Sequence, residues 1–433
     1  MMVRRLLVSA LLALVCLPAH AELATVAAGR VVRAVTEDAP AAVGPAERVS
    51  EAVGADWVRT RLGYDGSGVT VAVIDSGVMD SHDDLSASRI ARFVDFVNFQ
   101  PAAYDDYGHG THVAGILAGN GSDSSGSRRG IAPAASLLVE KVLDETGQGY
   151  ISNVIAAIDY AIANRDTLGV RVINLSVAAL VTESYLDDPL ALAAKRAVDA
   201  GIVVVTAAGN LGRNAGGQTQ YGGIGSPGNA PWVVTVGASA HSGSRSIRDD
   251  IVAPFSSRGP TAIDSLAKPD LVAPGVSIES LADPSSTLFL TKPAARVWGT
   301  VTTASQPYLS LTGTSMASPV VSGTIALMLQ ANPSLTPNLV KAILEYTAET
   351  HAGYDALTEG AGFLNARGAV EAAATLAATG SVTAAGQTDP TAWSGHVIWG
   401  NQRVAVRSLQ MSSPSWRADV TWGADTATGR RPQ

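Results

Sequence analysis

Val71-Ala72-Val73-Ile74-Asp75-Ser76-Gly77 is an uninterrupted apolar run that ends on a carboxylate and a glycine turn. Apolar at every position rather than at every second one, it predicts a strand buried on both faces. Four more short apolar stretches follow it: Leu137–Leu143, Val172–Val177, Ile202–Thr206 and Val233–Val236. Between and after them come helical stretches: Val113–Ala118, Asn153–Ile162, Leu190–Ala200, Val320–Gln330 and Pro337–Tyr346. This alternation predicts an α/β fold of three layers, with a mainly parallel sheet covered on both faces. Such sheets bind ligands in the crevice at the carboxyl ends of their strands. Asp75 is placed at that crevice, although an aspartate that merely opens a turn reads the same way locally.

The bulk composition sets limits. With 433 residues, 46% apolar and 16% charged, the chain is globular rather than disordered. The net charge is −8 and there is no long Lys/Arg run, so nucleic acid is excluded as a partner. Arg4 and Arg5, the apolar run Leu6–Leu17 and Ala19-His20-Ala21 follow the order of a signal peptide over residues 1–21. The apolar run is too short to span a bilayer, and Val15 before Cys16 is too bulky for a lipoprotein cleavage site. The protein is therefore expected to be secreted, extracellular or periplasmic, with no stable membrane anchor. Cys16 is the only cysteine, so the mature chain relies on its core, and on any bound ions, rather than on disulfides.

Two further segments carry chemistry. In Gly108-His109-Gly110-Thr111-His112-Val113-Ala114-Gly115, small residues let a helix start pack closely, with a histidine held as general base. A metal pair of His109 and His112 is the competing reading. It lacks the glutamate and the four-residue spacing of a zinc-protease helix. Gly313-Thr314-Ser315-Met316-Ala317-Ser318-Pro319 precedes a long apolar helix, and Pro319 is expected in its first turn. Ser315 is then either an N-cap or a nucleophile whose oxyanion faces the helix N-terminus. The chain order Asp, His, Ser, each in its own motif, makes the nucleophile reading the stronger one.

On these three motifs the chain resembles the subtilase family of serine peptidases. The likeness runs from about Gly54 to Thr375 and takes in Ser81-His82-Asp83-Asp84-Leu85, Gly130-Ile131-Ala132-Pro133 and Phe255–Pro260. The resemblance implies a subtilisin-like fold and a serine endopeptidase acting through an acyl-enzyme. It implies Asp75, His109 and Ser315 as the triad and Asn210, in Ala207-Ala208-Gly209-Asn210, as the side-chain donor to the oxyanion. It also implies that Ser176, Val177, Ala178 and Gly209 line the substrate cleft, with Gly225 at the bottom of the primary pocket, where a glycine leaves the pocket open to large apolar side chains. Glycines are usual in the family where Val177-Ala178-Ala179 stands here, so a narrower cleft is expected.

Other departures bear on cofactors and maturation. The loop Asn120–Arg129 does not match the family's calcium loop, although Asp84 sits where some relatives have a ligand. No cofactor is expected for the chemistry; structural calcium is possible, at no assigned site. Gly223-Ile224-Gly225-Ser226-Pro227-Gly228 fits a dinucleotide fingerprint only on paper, since no strand precedes it and no helix follows. Residues 22–54 read as a short pro-segment or linker, 55–375 as the catalytic domain and 376–433 as a short β-rich tail. In the tail, Trp393–Gly400 and Trp416–Gly423 share the pattern W-x-x-x-V-x-W-G. Extended, each copy puts Trp, Val and Trp on one face, predicting two strands that pack on the catalytic domain or dock elsewhere. Partners are expected to be protein or peptide substrates, and the protein a monomer.

Overall fold

The computed structural model describes residues 31–34, 36, 49–240, 244–301, 307–385, 392–417 and 419–423. The expected signal peptide, and most of segment 22–54, lie outside the described residues. The strands of the first half are β1 (Val31–Ala34), β2 (Thr70–Asp75), β3 (Ile90–Asp95), β4 (Ser136–Lys141), β5 (Gln148–Tyr150), β6 (Val170–Leu175), β7 (Val177–Ala178) and β8 (Val203–Ala207). Those of the second half are β9 (Val234–Ala240), β10 (Ile251–Val252), β11 (Leu271–Pro274), β12 (Ile278–Leu281), β13 (Arg296–Trp298) and β14 (Pro307–Leu311). The main helices are α1 (His109–Ala118), α2 (Ile151–Ala163), α3 (Pro189–Asp199), α4 (Thr314–Ala331), α5 (Pro337–Thr347) and α6 (Ala366–Thr379).

The central sheet runs β10-β9-β8-β6-β2-β4-β3, with β11 also on β9; every pairing is parallel except that of β10. All six residues of β2 are buried, as a central strand covered on both faces requires. Its side chains alternate between two cores. Val71 and Val73 join the core that includes Val113 and Leu117 of α1 and Val320, Val321 and Ile325 of α4. Ala72 and Ile74 join the core with Val154 and Ile158 of α2 and Leu190 and Ala194 of α3. Three layers and a mainly parallel sheet are thus observed as expected.

Some readings change. Pro319 lies inside α4 and not in its first turn. Its missing N–H would have bonded the Ser315 carbonyl, and the Ser176 hydroxyl donates to that oxygen instead, at 2.9 Å. Among its described residues the tail has the short strands β15 (Ser381–Val382), β16 (His396–Trp399), β17 (Gln402–Ala405) and β18 (Leu409–Gln410). Only the first tryptophan copy supplies a strand, β16. The second forms a 3-10 turn at Pro414–Trp416 followed by irregular chain. Pro414 starts that turn, and among the described residues no strand lies beside it to pair with. The four tryptophan rings still lie together in the main core.

Candidate active site

Strand order places the site. β8, β6 and β2 are neighbours, and the chain leaves their carboxyl ends with Asn210, Ser176 and Asp75 respectively. Asp75 ends β2, and its Oδ1 lies 2.7 Å from Nδ1 of His109, the first residue of α1. The Ser76 N–H donates to the same oxygen at 2.8 Å. Both side chains are fully buried, and Nε2 of His109 has no hydrogen-bond partner. That nitrogen is available to accept a proton. His112, one turn on, is a different kind of residue. Its Nε2 donor is shared between the carbonyls of Ile278 and Leu309, each at 3.0 Å. Burial, with His109 alongside, pushes its pKa down to about 3, so it is a neutral packing group.

The start of α1 can approach β2 only because two glycines meet there. A Cβ on Gly110 would lie 2.2 Å from the Gly77 carbonyl, and one on Gly77 would lie 2.0 Å from that of Tyr104, where φ is +118°. Asp105, which sequence reasoning missed, pins this corner. Its Oδ1 accepts from Ser76 Oγ and Gly108 N–H, and its Oδ2 from the N–H and hydroxyl of Thr111, all at 2.7–2.8 Å. An acid just ahead of a helix start was the available signal. Lys141, also missed, is fully buried. It donates to the carbonyls of Ser76 and Leu143 and to Asp106, so the loop after Asp75 is tied to β4.

Ser315 is the second residue of α4, and it is buried rather than exposed. Its hydroxyl donates to the Ser176 carbonyl at 2.7 Å. Ser322 donates to Asn174, Asn174 donates to Ser176 Oγ, and Ser176 Oγ donates to the Ser315 carbonyl. The helix bearing the serine is thereby fastened to β6. Asn210 is set by its oxygen. Oδ1 accepts from both the N–H and the hydroxyl of Thr314, at 3.1 and 3.0 Å. This leaves Nδ2 buried and without a partner. An amide anchored by its oxygen presents its N–H groups in a fixed direction, as an oxyanion donor must. Gly209, at φ +105°, donates its N–H to Thr314 Oγ1, so Thr314 holds both neighbours.

Two of the expected cleft residues, Val177 and Ala178, form β7; Ser176 precedes it and Gly209 follows β8. Val177 and Ala178 pair antiparallel with Ala34 and Arg33 of β1, whose other edge pairs with β5. The segment Val31–Ala34 is thus the middle strand of a three-stranded sheet. Val32 is fully buried there, in the core with Ile151 and Val177. Thr36 comes up to the phenol of Tyr107, whose ring centre is 6.3 Å from that of His109. Gly225 lies against Ala178: a Cβ on it would be 2.9 Å from the Ala178 methyl. Gly223–Gly228 leads into β9 and no helix, as expected for a chance fingerprint match.

For metals, the described residues bring together one group of three ligating side chains, His82, Asp84 and Asp123. Calcium takes six to eight oxygens, and this group offers two carboxylates and an imidazole. Both Asp84 oxygens already accept hydrogen bonds, from the Tyr308 hydroxyl and the Asp123 N–H. The residues do not fit a calcium ion.

Comparison with known proteins agrees with this geometry. The model of the subtilase family matches residues 66–369. The chain is 42% identical to serine protease AprX of Bacillus subtilis over 318 residues, 72% of this chain and 68% of that protein. It is 36% identical to subtilisin E of Bacillus subtilis over 313 residues, 71% of this chain and 67% of that protein. A thermostable alkaline protease of Halalkalibacterium halodurans is 35% identical over 295 residues, 68% of this chain and 66% of that protein.

Proposed function

Since the chain belongs to the subtilase family and is a serine-type endopeptidase, we propose that Asp75, His109 and Ser315 are its triad and Asn210 its oxyanion donor. The catalytic cycle needs no cofactor. Its first step moves the Ser315 hydroxyl from the Ser176 carbonyl to His109 Nε2. The serine oxygen then attacks a peptide carbonyl as His109 takes its proton. Asp75, bonded to Nδ1, fixes the tautomer and stabilises the imidazolium. The oxyanion is received by Asn210 Nδ2 and the Ser315 N–H. His109 returns the proton to the leaving amine, and water repeats the sequence on the acyl-enzyme.

The observation that carries this reading is β1 between β5 and β7. An extended peptide held by two strand edges is the way a protease grips an unfolded substrate. β1 pairs with Val177 at Ala34 and comes up to Tyr107, beside His109, at Thr36. We read residues 22–54 as a pro-segment whose stretch Val31–Ala34 lies in the cleft as a substrate does, and which is cut between Ala34 and Thr36. Ser176, Val177 and Ala178 are the substrate edge. Gly209 and Gly225 belong to the primary pocket, which the Ala178 methyl narrows. Small or medium apolar side chains are therefore the preferred occupants.

The protein is proposed to be exported behind residues 1–21 and to act as a monomer on proteins and peptides outside the cytoplasm. Among the described residues no helix is long and apolar enough to cross a membrane. The test combines casein hydrolysis, a serine-directed inhibitor and mass measurement of the N-terminus. Wild-type protein should hydrolyse casein, be blocked by the inhibitor and lose its N-terminus near Thr36. Ser315→Ala should not hydrolyse casein and should keep the stretch from Glu22 to Thr36. Trimming and hydrolysis that persist in Ser315→Ala would overturn the assignment.

A further inference from the structure

The match to the family ends at residue 369, so nothing in it accounts for the tail. The tail lies on α5, a helix that reads as an ordinary surface helix, with Thr336 as N-cap and polar residues at 338, 341 and 345. On such a helix these positions would form the wet face. Here the whole helix is buried, and each polar group of the stripe holds a group of the tail. Thr336 Oγ1 donates to the Trp416 carbonyl. Asn338 Nδ2 donates to the carbonyls of Arg417 and Val420, at 2.6 and 2.9 Å. The Lys341 ammonium lies 5.0 Å from the centre of the Trp422 ring. Glu345 Oε2 accepts the N–H of Ile398, in β16, at 2.6 Å. At the end of the helix, Ser394 and Gly395 donate their N–H groups to the carbonyls of Ala348 and Tyr346.

Behind the stripe is a network of charges that the tail keeps dry. Lys341 lies 2.9 Å from Asp270, which also pairs with Lys268 at 2.7 Å. Both lysines donate to the Val233 carbonyl, and Lys341 also donates to that of Pro231. Glu345 is fully buried, which raises its pKa well above the usual carboxylate range, and the charged trio Lys268, Asp270 and Lys341 are each 2% exposed or less. Charges so placed hold their geometry only while water is excluded, and the cover over Lys341 and Glu345 is Trp422 and β16. The cover is itself cross-tied: Trp422 Nε1 donates to the Ile398 carbonyl at 2.6 Å, and the rings of Trp399 and Trp422 are 5.1 Å apart.

We propose that residues 393–423 are a strap that the polar stripe of α5 is built to receive, and that docking it completes the catalytic unit. The tail is then neither an adhesive module nor a removable appendage. Undocked, the stripe would hydrate from Glu345 inward and the Pro231–Val233 segment would lose its lysine ties. That segment follows the one carrying Gly225.

Hydrogen exchange on the full-length Ser315→Ala protein tests this without self-digestion and without dependence on activity. Amides of β16 and of 419–423 are expected to exchange within about tenfold of those in the middle of α5, as one cooperative unit. Trp422→Ala should speed exchange in both the tail and α5, by roughly tenfold or more. Asn338→Ala leaves the buried charges untouched and serves if Trp422→Ala does not fold; it should release 416–423 and raise α5 exchange in parallel. Tail amides that exchange more than about a hundredfold faster than α5 in the parent protein would overturn the proposal. So would either variant loosening the tail while leaving α5 unchanged.

Discussion

Asp250 gives a pH-dependent test whose size follows from the structure. It precedes β10, is 3% exposed and has only a long hydrogen bond, 3.3 Å from Ser239 Oγ; its Oδ1 has no partner. Burial, reinforced by the charge of Asp249, raises its pKa from 3.8 to about 7. A raised carboxyl pKa means that folding penalises the ionised form. Its contribution is intact below about pH 4 and is lost as pH rises through about 7. A shift of about 3 units at about 1.4 kcal/mol each makes the penalty about 4 kcal/mol once ionisation is complete. Asp250→Asn keeps the shape and cannot ionise. In urea unfolding of the Ser315→Ala protein, parent and variant should be of similar stability at about pH 4. At about pH 8 the variant should be more stable by up to about 4 kcal/mol. Other buried acids titrate in both proteins, so the difference isolates Asp250. Stability profiles that run parallel across this range would refute the reasoning.

Three further outcomes are expected. Asn210→Ala should lower kcat by about 10²–10³ with little change in KM, a range established for such a donor in subtilisin rather than worked from these distances; a change in KM alone would assign Asn210 elsewhere. His109→Ala should abolish turnover, whereas His112→Ala, which removes the donor shared by the Ile278 and Leu309 carbonyls, should lower the melting temperature and leave the acidic limb of the kcat/KM profile in place; the reverse pattern would exchange their roles. Gly110→Ala should cost about 1–3 kcal/mol and move α1 off Gly77, with activity falling more than stability predicts, because the clash is with backbone that has nowhere to go; full activity would show that the corner tolerates a methyl.

The parts of the site that were legible in the sequence are local ones. A strand ending at Asp75, a helix starting at His109 and a small-residue turn before Ser315 each declare themselves within ten residues. What was not legible depends on partners far along the chain. Asp105 becomes a clamp only when Ser76 arrives from β2. Ser322 and Asn174 are linked across 148 positions. Pro319 inside a helix contradicts local rules and is tolerated because Ser176 supplies the missing donor. Val31–Ala34 is too short to show periodicity and is a strand only by virtue of its two flanking edges. In the tail, alternation correctly marked one face, but alternation alone does not make a strand where nothing lies alongside to pair with.

On the proposed reading β1 is held by its own chain in the cleft it fills, and this sets the conditions under which uncut protein can act on anything else. A segment joined to its own binding site by a short stretch of chain is held there at an effective concentration on the order of millimolar. A visiting peptide must outcompete that local concentration, and diluting the protein does not lower it. Before the chain is cut, specific activity should therefore be low and the same at every protein concentration. After the cut the departing segment is an ordinary solute, and dilution drives it off. A pool of full-length molecules would then switch on unevenly: the first few to be cut are unmasked as their segments disperse, and each can process its still-masked neighbours, so that activity appears after a lag that shortens as protein concentration rises.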